Sequence, residues 1–278
     1  LAPSGVISIY EDEAEKSVYI LTLKDAIEMA IRKSEPLNFS LRQIEIAKMK
    51  IIEAWRSFFP TVSLSYNNSY GTSGAGRYEG KSKEINLSQT LFAGGRILNA
   101  YKQARLNVEL AELNEKELKA SLVTSVKESF YNVALYEMNR DIQEDVLEEA
   151  KEIYEVEKKL LSLEINTQLD YLNAISGYNT IKFTAMSADK DLVLALLALK
   201  NILHLPIDSG VKIVYDLKLK KIEIDLNECI RMALESRVDL KTGELNLEIA
   251  ELQKKILLAQ ERPTISFDWN YQRKGEAP

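Results

Sequence analysis

Few side chains in this sequence are of the types that make and break bonds, and their spacing does not bring them together. There is one histidine, His204, and one cysteine, Cys229. A lone cysteine excludes an intramolecular disulfide and any cysteine-based metal cluster. His204 lies between Leu203 and Leu205 at the end of an apolar helical stretch; with no second histidine beside it, it reads as a packed or capping residue and not a metal ligand. Carboxylates are numerous, 42 Asp and Glu against 36 Lys and Arg, yet no pair is isolated in apolar surroundings that would tune one as acid and the other as base. Gly74-Ala75-Gly76-Arg77 lacks the lysine and following helix of a phosphate loop and reads as a surface loop. The residues predict neither an enzyme nor a bound cofactor or metal, and a net charge of −6 gives no support for nucleic-acid binding.

The informative chemistry lies in segments that alternate between apolar and small polar residues. From Thr61 to Tyr70, Val62, Leu64, Tyr66 and Tyr70 fall on one face, with Ser63, Ser65, Asn67 and Ser69 on the other. A second run from Glu84 to Leu91 alternates Ile85 and Leu87 with Asn86 and Ser88, and a third places Ile265, Phe267, Trp269 and Tyr271 opposite Ser266, Asp268, Asn270 and Gln272. Such strands suit a barrel wall with lipid outside and water inside. A half-buried soluble sheet alternates for the same reason, but the aromatic and small-polar division repeated in three strands favours the barrel. Even small barrels need about eight strands, so closure requires neighbouring chains.

Helices must hold these strands. Thr22 is placed to cap a helix with Leu23, Ala26, Ile27, Ala30 and Ile31 on its apolar face, broken at Ser34-Glu35-Pro36 and followed by a second helix to about Phe58. Gly71 to Lys83 carries loop residues, which predicts a hairpin with a long loop; Gly94-Gly95 then supplies a strand-to-helix corner. From about Ile97 to Leu161 there is neither proline nor glycine; sixty-odd helical residues would run roughly 95 Å at 1.5 Å each, a length that points to a coiled coil. The pattern falters around Ser162 to Asn166 and resumes as a return helix from about Thr167 to Leu203. Val211 to Leu219 alternates again, and Asp225 can cap a further helix. The longest apolar stretch, Leu192 to Leu199, is far short of the roughly 20 residues of a membrane-spanning helix, and Leu1 to Tyr10 lacks the basic flank of a signal peptide.

The chain also repeats itself. Pro60-Thr61-Val62-Ser63 returns as Pro263-Thr264-Ile265-Ser266, and in the same register Leu23-Lys24-Asp25-Ala26 aligns with Leu226-Asn227-Glu228-Cys229. A period this long is a duplication of a large unit and not a solenoid array. The organisation read from these patterns is an N-terminal extension (1–21), first-repeat helices (22–60), a barrel hairpin (61–92), a long helical hairpin (93–204), a linker (205–225), second-repeat helices (226–262) and the start of a third barrel strand (263–278).

Three segments in this order resemble the TolC-like outer-membrane efflux protein family: Phe59-Pro60-Thr61-Val62-Ser63-Leu64, Leu87-Ser88-Gln89-Thr90-Leu91-Phe92-Ala93-Gly94-Gly95-Arg96, and Leu169-Asp170-Tyr171-Leu172-Asn173-Ala174. The resemblance implies a mainly α fold with a β-hairpin: long antiparallel coiled-coil helices plus transmembrane β-barrel strands, internally duplicated. It implies a homotrimeric exit duct in the outer membrane, its helical part in the periplasm, working with a periplasmic adaptor (membrane fusion protein) and an inner-membrane transporter to export drugs, toxins or proteins. Val62, Leu64, Tyr66, Ile85, Leu87, Ile265, Phe267 and Trp269 would face outer-membrane lipid, and Ser63, Ser65, Asn67, Asn86 and Ser88 the lumen. The turn Leu163-Glu164-Ile165-Asn166-Thr167 would be the adaptor-docking tip, with Asp170 and Leu169 at the gate; an acid in the first turn of a helix is also favoured by the helix dipole alone. Glu164 stands where the family commonly has glycine, and Ala93 where Asp or Asn is more usual. A complete member would continue with a fourth strand and a second helical hairpin, so the chain reads as C-terminally truncated. The competing expectation is a soluble coiled-coil scaffold or periplasmic adaptor protein with a small capping sheet.

Overall fold

The computed structural model describes residues 18–73, 76–216 and 225–276. In chain order these form β1 (Val18–Thr22), α1 (Leu23–Lys33), α2 (Glu35–Arg56), β2 (Thr61–Ser73), β3 (Gly76–Ala93), α3 (Arg96–Ser162), α4 (Gln168–Ile202), β4 (Gly210–Val214), α5 (Leu226–Ser236), α6 (Val238–Leu258) and β5 (Thr264–Glu276), with one turn of 3₁₀ helix, Ala259–Glu261, before β5. The chain divides into two compact units, Leu1–Leu37 with Leu118–Glu223 and Asn38–Glu117 with Ile224–Pro278. The 67-residue helix α3 gives its first part to the second unit and the rest to the first.

The first unit is held by an apolar core at the base of a helical hairpin. Val126, Phe130, Val133 and Ala134 from α3 meet Leu199 from α4 and Leu203 just after it, and Ala26, Met29 and Ala30 from α1 close the cluster with Leu21 and Ile213 from the strands. Each fully buried large side chain here contributes roughly 1.5–3 kcal/mol. Nearer the turn, Tyr154 of α3 touches Tyr171 and Tyr178 of α4, so the two helices run antiparallel. α1 begins in a capping box: Thr22 Oγ1 accepts from the Asp25 amide, and the Asp25 carboxylate accepts from the Thr22 amide. It ends at Ser34, whose Oγ in turn accepts from the Leu37 amide and starts α2. Pro36 is tolerated in that first turn because its missing amide would have had no partner. β1 pairs in parallel with β4, from Val18 with Gly210 to Thr22 with Val214. Sequence reading left β1 within the N-terminal extension. Residues 1–17, and 217–219 of the alternating stretch, lie outside the described residues.

The second unit carries a three-stranded antiparallel sheet in the order β2-β3-β5. Its register joins the two sequence repeats: Val62 pairs with Leu87, and Leu87 with Trp269. The long loop expected over Gly71 to Lys83 is replaced by strand, because β2 and β3 stay paired as far as Ser73 and Gly76. Cross-strand pairing over this length outweighs the local turn preference of the glycines; residues 74 and 75 of the glycine loop lie outside the described residues. At the other end of β3, Gly94 and Gly95 take φ values of +61° and +91°. A Cβ on Gly94 would stand 2.8 Å from the Arg262 Cβ and 2.9 Å from the Ala259 carbonyl, so only glycine fits the corner. Arg262 Nη1 donates to the Gly94 carbonyl at 3.0 Å, tying the corner to the start of β5.

The expected transmembrane β-barrel fold is corrected by this sheet. Among the described residues there is no closed barrel; β2 and β5 are its two edges, each paired on one side only. Three strands cannot curve far enough to meet. The protein is mainly a helical bundle carrying an open sheet, and no described helix is long and apolar enough to cross a membrane. The duplication is visible element by element, since α5 has the 11-residue length of α1 and β5 the 13-residue length of β2. Their burial differs. α1 buries Ala26, Met29 and Ala30, whereas α5 buries nothing among the described residues and leaves Met232 and Ile230 exposed.

Candidate functional site

Two surfaces collect the residues singled out from sequence, one in each unit. The first is the turn of the α3–α4 hairpin. α3 ends in a Schellman motif: the Ile165 amide donates to the Leu160 carbonyl at 3.0 Å and the Glu164 amide to Leu161 at 3.0 Å. That geometry puts Glu164 at φ +59°, the position normally filled by glycine. α4 ends the same way, with Leu205 donating to Lys200, His204 to Asn201, and His204 at φ +50°. His204 is therefore a capping residue through its backbone, with buried Leu203 and Leu205 on either side. The left-handed conformation strains a residue with a Cβ by roughly 1–2 kcal/mol, an expense that both ends of the hairpin carry.

α4 begins with a second capping box. Thr167 Oγ1 accepts from the Asp170 amide at 3.3 Å, and Asp170 Oδ2 accepts from the Thr167 amide at 3.1 Å and from its hydroxyl at 2.5 Å. The Thr167 hydroxyl, followed by the Thr167 amide, holds the Asp170 carboxyl below the usual carboxylate value. Beside it, Asn166 Nδ2 donates to Glu157 Oε2 at 2.6 Å, and Ile153, Glu157, Asn166, Asp170, Asn173 and Ala174 line a shallow open depression. Leu163, Ile165 and Leu169 are exposed around it. Sequence reading missed the aromatic contact that closes the turn: Tyr154 stacks on Tyr178 at 5.5 Å and lies 6.0 Å from Tyr171, and Lys158 Nζ sits 5.6 Å from the Tyr154 ring centre. The hydrogen bond to Tyr154 raises the Tyr171 hydroxyl above its ordinary pKa. The heptad spacing of Tyr171 and Tyr178 is the signal that could have revealed this pair.

The second surface is the sheet. Its register puts Val62, Leu64 and Tyr66 on one face with Ile85 and Leu87 and with Ile265, Phe267 and Trp269. Leu64 is 77% exposed and Val62 65%, so this face carries no cover from its own chain. Ser63, Ser65, Asn67, Asn86 and Ser88 share the opposite face, where Ser88 Oγ donates to Asp268 Oδ1 at 2.5 Å and Asn270 Nδ2 donates to Glu84 and Asn86. Glu84 and Asp268 make that face acidic, a feature the residue pattern alone understated. Among the described residues no group of three or more His, Cys, Asp or Glu could hold a metal ion.

Several solved structures share this fold. CusC, a structure concerned with folding and transmembrane channel formation, is 18% identical with a TM-score of 0.77 over 91% of this chain and 60% of its own. The outer membrane protein VceC of Vibrio cholerae is 14% identical, with a TM-score of 0.77 over 92% of this chain and 67% of its own. The CmeC outer membrane channel of Campylobacter jejuni is 17% identical, with a TM-score of 0.72 over 92% and 60%. The chain thus spans about three fifths of the length of CusC and CmeC. No curated protein matches the sequence. The outer membrane efflux protein model matches residues 37–203, and the chain belongs to that family. It is a chain of non-catalytic character and not an enzyme.

Two outcomes follow at the hairpin turn. Glu164→Gly should relieve the left-handed strain and stabilise the chain by about 1 kcal/mol, read as a higher midpoint in chemical denaturation; an unchanged or lower midpoint contradicts it. Because the folded pKa of Asp170 is depressed, its capping contribution is fully present above the ordinary carboxylate range and is lost as pH falls through the lowered folded value. Side-chain NMR titration should give Asp170 a pKa below that of a free aspartate, and Thr167→Val should return it upward; a titration unaffected by that change rejects the Thr167 cause.

Proposed function

We propose that the protein is the outer-membrane component of an efflux or secretion assembly, acting as a homotrimeric exit duct for drugs, toxins or proteins. The single observation that carries this reading is the two-faced open sheet: an uncovered apolar face, an opposite face of Ser, Asn, Glu and Asp, and two edges with unused backbone groups. Family membership and the shared fold of known outer-membrane channels support it. Unpaired edges in lipid would cost several kcal/mol per backbone group, so neighbouring copies cover β2 and β5. Exposed apolar residues along the hairpin, among them Ile142, Val146 and Ile153 on α3 and Phe183, Met186 and Val193 on α4, offer the copies a second contact.

In this arrangement Val62, Leu64, Tyr66, Ile85, Leu87, Ile265, Phe267 and Trp269 meet lipid, and Ser63, Ser65, Asn67, Asn86 and Ser88 line the aqueous path. The helices stand in the periplasm, where the Leu163-to-Thr167 turn docks a periplasmic adaptor that links to an inner-membrane transporter. Asp170 and Leu169 narrow the path at the same end. The chain performs no chemistry on its cargo; it supplies a path whose end opens and closes.

In a Cys229→Ser background, cysteines introduced one at a time at 62, 64 and 66 should resist a membrane-impermeant maleimide in outer membranes, while cysteines at 63, 65 and 67 react. Equal labelling of both sets rejects the assigned faces. Asp170→Asn should raise the conductance of channels in planar bilayers; unchanged conductance leaves Asp170 as a helix cap and removes it from the gate.

A further inference from the structure

Three serines are buried among the described residues, Ser34, Ser129 and Ser209. Ser34 Oγ accepts from the Leu37 amide and Ser209 Oγ donates to the Pro206 carbonyl. Ser129 is 8% exposed, and its Oγ has no hydrogen-bond partner. A hydroxyl inside a helix can turn back to the carbonyl four residues earlier, as Thr124 does to Ala120 in the same α3. Ser129 does not, and a buried hydroxyl left unpaired is destabilising unless something else uses it.

Ser129 lines an open depression of about 430 Å³ between α3 and α4, inside the first unit and apart from both surfaces described above. Ser125, Ser129, Asn132 and Tyr136 border it at intervals of four, three and four residues along α3, and Asp191, Ala195, Ala198 and Ile202 repeat those intervals along α4. Heptad spacing of this kind keeps each row on one side of its helix, so the depression is a groove running with the helices. Two carboxylates lie on it, Glu128 and Asp191. Tyr154 contacts both Tyr171 and Tyr178, a stagger that puts Asp191 level with Tyr136 and Glu128 roughly 12 Å away along the axis. Glu128 has no ion-pair or hydrogen-bond partner among the described residues, and Asp191 meets Lys190 through Oδ1 at 3.2 Å.

We infer that this groove binds an extended aliphatic polyamine, with one ammonium group at Glu128, another at Asp191, and the chain between them lying along α4. An ammonium group has three donors and no acceptor, and the groove answers with acceptors: two carboxylates at its ends and the Ser129 hydroxyl and Asn132 carbonyl between them. Hydrogen bonds from an ammonium to a carboxylate are charge-assisted and short. Leu194, Ala195 and Ala198 offer the methylene chain an apolar wall, the mixture of apolar lining and few polar groups that small-molecule sites use. The two carboxylates stand too far apart for one inorganic cation to touch both, which selects a ligand with separated charges. The inference goes beyond the duct reading and is independent of whether the sheet meets lipid, because the groove belongs to the first unit alone.

The test is calorimetric titration of the purified chain with spermidine at low salt. Spermidine should saturate one site per chain and bind more tightly than hexylamine, which offers a single ammonium group, or Mg²⁺, which offers no chain. Glu128→Gln and Asp191→Asn should each weaken spermidine by about fivefold. Ser129→Ala should weaken it by a smaller factor while leaving the denaturation midpoint unchanged or higher, since the parent hydroxyl has no partner to lose. Glu149→Gln, at an exposed acid of α3 outside the groove, should bind as the parent does. The inference is overturned if spermidine shows no saturable binding, if hexylamine or Mg²⁺ binds as tightly, if Glu149→Gln weakens spermidine as much as Glu128→Gln, or if Ser129→Ala lowers the midpoint without changing affinity.

Discussion

The register of β3 is the constraint on which the rest of this protein depends. β3 pairs with β2 on one side and with β5 on the other, joining residues about as far apart in sequence as the two repeats. A slip of one residue would move every side chain to the opposite face, mixing Val62 and Leu64 with the serines and asparagines of the polar surface. The Gly94-Gly95 corner and its Arg262 contact fix that register at the helix end, where a Cβ at position 94 has no room. The polar network of Ser88, Asp268, Asn270, Glu84 and Asn86 fixes it from within. Faces and edges both follow from this one pairing.

The helical hairpin is governed by a different economy. Its base is secured by buried Val126, Phe130, Leu199 and Leu203, but toward the turn the helices bury less and depend on end chemistry. A Schellman turn closes α3, a Thr-Asp box opens α4, and a tyrosine contact clasps the two. Glu164 and His204 accept left-handed backbone where glycine would be relaxed. Glycine would lower that strain, but it would also remove the Glu164 carboxylate from a turn otherwise lined by Leu163, Ile165 and Asn166.

Much of the architecture was legible from local rules. Thr22, Thr167 and Asp225 cap the helices their positions indicated, and the glycine pair turns the chain where two left-handed residues were needed. The register keeps Val62, Leu64 and Tyr66 on the face opposite Ser63, Ser65 and Asn67. Two readings failed for the same reason. Glycine-rich residues after Gly71 looked like loop, and three alternating strands looked like part of a barrel, but pairing decides both: cross-strand hydrogen bonds extended the hairpin, and a sheet with two unpaired edges stayed open. β1 was missed because five residues that pair in parallel with a distant strand carry no local signal.

The sequence by itself determined which residues share a strand face or a helix end, because side-chain period and capping are properties of near neighbours along the chain. It also determined that the chain is duplicated, since the two copies align without a gap. Only the tertiary structure decided that β3 is the central strand joining both copies, that Lys83 faces Arg273 across that seam, and that α1 is buried while its counterpart α5 is bare. Those outcomes depend on residues brought together across most of the chain's length. The free energy of such contacts resides in pairing and burial between segments, which no window along the sequence contains.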